Sequence, residues 1–97
     1  MILFFGVPAE NFEKGKEVLA AYKDSIAEVR VSSGVATNVY ENFTEEIPAK
    51  FFQVLLKEEA NNPEEIVRKL TEDFVKNKVI YPDEACWNVL IFNRDTF

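Results

Sequence analysis

Histidine is absent from the 97 residues and cysteine occurs once, at Cys86. The first absence removes imidazole acid–base work, Ser-His-Asp and Cys-His nucleophile pairs, and His-ligated zinc within one chain. The second removes an intramolecular disulfide and a thiolate cluster, and one unpaired thiol points to a reducing, cytoplasmic setting. No apolar run nears the length that crosses a bilayer. Met1 leads straight into "ILFFGV" without a basic n-region or cleavage site, which argues against a signal peptide. Glycines number three, and "GVPAENFEKGK" sets eight residues between Gly6 and Gly15 where a P-loop has four. Positive charge is also scarce: 11 Lys and Arg against 17 Asp and Glu leave −6. Phosphate contacts draw their energy from Lys and Arg, so neither direct nucleic-acid binding nor an anionic membrane partner is expected.

Apolar material is plentiful. Hydrophobic residues make up 47% of the chain and include nine Phe, enough to form a single domain over 1–97 that buries about 60–65% of its unfolded surface. "MILFFGV" reads as a strand over 2–7, apolar on both alternating faces and closed by Pro8. Phe12, Leu19, Tyr22 and Ile26 recur at helical spacing and predict a helix over 9–27, with Gly15 on its apolar stripe for close packing on a sheet. "EVRVSSGVATNVY" (28–40) alternates and reads as a hairpin or, preferably, one long strand bulged at Ser33-Gly34. The polar residues and proline of "ENFTEEIP" (41–48) predict a loop. Asn62 as cap, Pro63 in the first turn, Glu65 three residues on, and the stripe Ile66, Val67, Leu70, Phe74 predict a helix over 62–77. Three i,i+4 pairs, Glu64–Arg68, Glu65–Lys69 and Glu72–Lys76, lie on its outer face. "CWNVLIFN" (86–93) predicts a last strand with Trp87, Val89 and Ile91 on one face.

"KFFQVLLKEE" (50–59) fits either period. As a strand over 50–58 it completes the order βαββαβ, the ferredoxin-like two-layer sandwich with a four-stranded antiparallel sheet; this α+β reading is preferred. As a helix over 48–60 it makes 28–40 a hairpin and the order βαββααβ. In the sandwich one sheet face is free, yet strands 1, 3 and 4 are apolar on both faces, so a second copy or a partner covers the surplus unless the 41–49 loop or Phe97 does.

The remaining polar chemistry is thin. Asp83 and Glu84 beside Cys86 raise a thiol pKa and oppose nucleophilic use. Carboxylates come in adjacent pairs that point apart on any regular element, so neither a metal site nor a catalytic dyad is nominated. No cofactor is expected and the residues nominate no reaction. Trp87, Tyr22, Tyr40 and Tyr81 read as core aromatics with polar rims rather than a platform, and the basic residues that flank an RNA-binding sheet are missing. What stands out is local charge: Glu41, Glu45, Glu46, Glu58, Glu59, Glu64 and Glu65 against Lys50 and Lys57 place −5 of the −6 in 25 residues.

Two functions follow as expectations. The first is a small acidic protein-binding module, such as an inhibitor, immunity protein, antitoxin or virus-encoded anti-defence protein. It engages a basic partner surface through Glu41, Glu45, Glu46, Glu58 and Glu59 with Phe51 and Leu55, the carboxylates standing in for phosphates where that partner binds nucleic acid. The second is a homodimeric ferredoxin-like regulatory or ligand-binding domain. Its sheets pack face to face through Phe51, Leu55 and either the Leu3/Phe5 or the Ile2/Phe4 set.

Overall fold

The computed structural model describes residues 1–58 and 62–94. Its main elements are β1 (Ile2–Pro8), α1 (Phe12–Ala20), β2 (Ile26–Val39), β3 (Thr44–Leu56), α2 (Pro63–Lys76) and β4 (Leu90–Phe92). The strands form one antiparallel sheet in the order β2-β3-β1-β4. Both helices lie on the same face of this α+β domain. Gly15 of α1 sits over Val7, where an added Cβ would stand 3.7 Å from either valine methyl. Phe12 stacks on Phe52, and Phe74 of α2 packs against Phe5.

The run at 50–59 is a strand as far as Leu56, which overturns the helical alternative for 48–60 over its described residues; 59 and 60 lie outside them. β3 is the second strand inward, paired with β2 on one side and β1 on the other. Phe52 and Val54 face the helices, while Phe51 and Leu55 face the opposite side. Both sides are covered, which is why alternation is invisible in "FFQVLL".

The second face is covered from within. After α2 the chain crosses to it and makes a 3-10 turn at Ala85–Trp87 that buries Trp87 against Gly6. Cys86 and Trp87 therefore belong to that turn and not to the expected strand over 86–93, which shrinks to Leu90–Phe92. An indole this large gains more from a pocket beneath the sheet than from a place on its edge. The segment expected as a 41–49 loop does not fold over this face, because from Thr44 onward it is strand within the sheet, and Phe97 lies outside the described residues.

Three further boundaries differ from expectation. α1 is Phe12–Ala20 rather than 9–27, because tertiary bonds at both ends override helical spacing. Buried Asn11 donates to the Val79 carbonyl at 3.0 Å, and Tyr22 turns out of the helix to donate to Asp73 Oδ2 at 2.5 Å. The long strand is single, but its irregularity lies between Ile26 and Glu28, not at Ser33-Gly34.

The loop expected over 41–48 is mostly strand, since β3 begins at Thr44. Pro48 is tolerated for a geometric reason. The Tyr40 N–H donates to the Phe43 carbonyl at 2.8 Å, and pairs alternate from there, so Pro48 opposite Val35 turns its nitrogen away from β2. On that other side β1 has already ended, at Pro8 opposite Ala49.

On α2 the cap forms as expected, with Asn62 accepting from the Glu65 N–H at 3.3 Å. Arg68, however, pairs with Glu65 and Glu72 instead of Glu64.

Candidate interaction surface

β2 and β3 outrun β1. Residues 35–39 of β2 and 44–48 of β3 continue past Pro8 as a two-stranded arm, closed by a turn at Glu41 and Asn42. Neither turn residue takes a positive φ, so this is not one of the primed turns that glycine favours in tight hairpins. The arm draws the molecule out to 45 × 26 × 21 Å.

Near its root the arm rests on the 85–87 turn, which buries Ala36 and Asn38. Toward the tip the same face carries Tyr40 and Phe43, stacked with centroids 4.6 Å apart. Phe43 is 61% exposed and Val39, on the other face, 73%. Large apolar groups left this open at the end of an arm are unlike the scattered apolar residues of an ordinary surface.

Polar contacts hold this tip in place. The Asn38 side chain donates to the Tyr40 oxygen at 2.8 Å, and the Tyr40 hydroxyl donates to Glu45 at 3.3 Å. Beneath, the Trp87 indole N–H donates to Glu84 at 2.6 Å, fixing that carboxylate. Loss of solvent contact, then Glu45, lifts the Tyr40 hydroxyl above its ordinary pKa, with a further push from Glu84. The Cys86 thiol is likewise raised, first by burial and then by Glu84, with Glu45 adding to it. These mutual effects place Glu45, Glu84, Tyr40 and Cys86 in one electrostatic neighbourhood. Segments 31–49 and 79–93 contain Glu41, Glu45, Glu46, Asp83 and Glu84 and no Lys or Arg.

The acidic run of the sequence is thus divided in space. Glu41, Glu45 and Glu46 sit at the tip, with Glu45 and Glu46 on opposite faces of β3. Glu58 follows the far end of that strand, about 40 Å away at 3.3 Å per residue. Glu59 lies outside the described residues. Phe51 and Leu55 share the face turned from the helices with Ile2 and Phe4, half-buried, Phe51 stacking on Phe4 at 5.7 Å. Glu84, distant in sequence, comes into the neighbourhood of Glu45 instead, both acting on Tyr40 and Cys86. The missed signal was the absence of any base over 79–93.

Among the described residues no three His, Cys, Asp or Glu gather as metal ligands, and no helix is long and apolar enough to cross a membrane. No protein-family model matches the chain, and no curated protein is significantly similar to it.

Proposed function

We propose that the chain is a ferredoxin-like protein-binding module that presents the tip of its β2–β3 arm to a partner surface basic around an apolar depression. The order βαββαβ with both helices on one face supports the architecture. One observation carries the function: the exposed Tyr40–Phe43 stack at the end of the arm has Glu41, Glu45 and Glu84 about it and Glu46 on the opposite face of the tip, with no Lys or Arg in segments 31–49 and 79–93. Aromatics of this kind anchor interfaces, and surrounding like charge speeds encounter with an opposite surface. An inhibitor, immunity protein, antitoxin or anti-defence protein works in this way, and a nucleic-acid-binding target supplies the cations from its phosphate sites.

The test is capture from native lysate with the wild type, with Phe43→Ala, and with a Glu41→Lys/Glu45→Lys/Glu46→Lys variant. A stoichiometric partner released by moderate salt, lost about 30-fold or more with Phe43→Ala and abolished by the charge reversal, is the expected result. Equal capture by all three proteins refutes the assignment.

A further inference from the structure

β2 is an edge strand, and among the described residues no strand lies on its outer side. Counting outward from the Tyr40–Phe43 bond, the backbone N–H and C=O groups of Val29, Val31, Ser33, Val35, Thr37 and Val39 point away from β3. The side chains of these same residues line the helix-side face. Val29, Val31, Val35 and Val39 stay 39%, 45%, 56% and 73% exposed there. Natural edges of this length are blunted by lysine, proline, an inward charge or a bulge. From 29 to 39 β2 has none of these: its irregularity precedes Glu28, and Arg30 projects to the opposite face.

We propose that β2 is the seam of a two-fold dimer, pairing antiparallel with β2 of a second copy to continue each four-stranded sheet into the other. This goes beyond the tip's role in binding a partner. Self-complementarity and charge both favour a second copy over a foreign strand. Full overlap of 29–39 sets Gly34 against Gly34, Val29 opposite Val39 and Val35 opposite Ser33, so no charged side chain enters the valine row. In a chain of net −6 this edge is neutral, Glu28 and Arg30 being its charges. Antiparallel pairing also sends the acidic tips to opposite ends. Each tip then lies toward the other copy's Lys16 and Lys23, which line an apolar groove of about 300 Å³ beside Ile26, Val29 and Val31. Among the described residues Lys16 is engaged by exposed contacts, with Glu13 and the Phe12 ring.

The seam sets its own strength. An overlap of 29–39 about 36 Å long and about 10 Å deep buries roughly 360 Å² per copy, about 720 Å² in total, which is the size of a weak, transient interface. The dimer is therefore reversible, with a dissociation constant on the order of a hundred micromolar.

Sedimentation equilibrium from about 1 to about 300 μM spans that value. Wild type is expected to rise from 11.2 kDa toward twice that mass. Val35→Pro removes an outward N–H while leaving the β2–β3 ladder intact, and Val31→Lys restores an edge guard; both are expected to remain folded by circular dichroism and stay at 11.2 kDa. If the proline variant does not fold, the lysine variant decides. A wild type that remains monomeric at the highest concentration, or a dimer that survives Val31→Lys, overturns the seam. A monomer whose capture of a partner fails with Val31→Lys assigns the edge to a foreign strand and also overturns it. Phe43→Ala, which keeps the tip's charge and lies on the face away from the valine row, is expected to lose the captured partner yet still dimerise, and so separates this inference from the proposed function.

Discussion

Gly34→Ala is expected to destabilise the protein, although Gly34 is exposed and its backbone angles suit any residue. What it lacks is room. A Cβ at Gly34 would stand 2.9 Å from Cε2 of Phe51, and one at Gly6 would stand 2.9 Å from Cδ1 and Cε1 of the same ring. The ring thus lies across β3 between bare backbone on both neighbouring strands, with Phe4 stacked on it at an interplanar angle of 8°. It cannot yield to one side without meeting the other. Overpacking of this kind costs about 1–3 kcal/mol, and alanine's lower backbone entropy in a strand returns about 0.5–1 kcal/mol. The net loss is about 1 kcal/mol, or about 4–8 °C in Tm for a domain of this size. In a Phe51→Ala background the obstacle is gone, so the same substitution becomes neutral or stabilising by up to about 1 kcal/mol. The coupling energy is therefore about 1–2 kcal/mol, measured by urea unfolding of the four proteins at a few micromolar, below the range in which the seam forms. Equal effects of Gly34→Ala in both backgrounds would show that Phe51 is not the reason for this glycine.

Asn11→Ala leaves the carbonyls of Val79 and Lys78 without their side-chain donor in a buried corner; a loss of about 2 kcal/mol is expected, read as a lower urea midpoint at unchanged slope. Burial, and after it the hydrogen bond to Asp73, raises the Tyr22 pKa above 10.0. Its stabilisation is complete below that pH and lost as pH rises beyond it, so Tyr22→Phe costs about 1 kcal/mol at neutral pH but shows a shallower alkaline decline in Tm. Cys86, raised by burial and by Glu84, is expected to react with a maleimide more slowly than a free thiol at pH 8. Glu84→Gln, which keeps an acceptor for the Trp87 indole, is expected to speed it; an unchanged rate would count against the electrostatic contribution.

Local chemistry determined a good deal of this protein from sequence alone. Asn62, Pro63 and Glu65 start α2 because a cap and a first-turn proline act within one turn of chain. Gly15 marks the stripe where α1 meets the sheet, over Val7, although a Cβ there would find only ordinary contact at 3.6–3.7 Å, so close approach does not require the glycine. The lack of histidine and the lone cysteine bounded the chemistry without any structure. Tertiary structure decided the rest. Whether "FFQVLL" is strand or helix depended on neighbours on both sides, β1 and β2, that no local period can reveal. Pro48 read as a loop residue because its harmlessness rests on where β1 ends, at Pro8. The acidic run read as one surface because distance along the chain says nothing of direction: an extended strand carries Glu46 and Glu58 to opposite ends, while a crossing chain brings Glu84 beneath Glu45. Sequence specified the charges, and the reach of one long hairpin determined which of them meet.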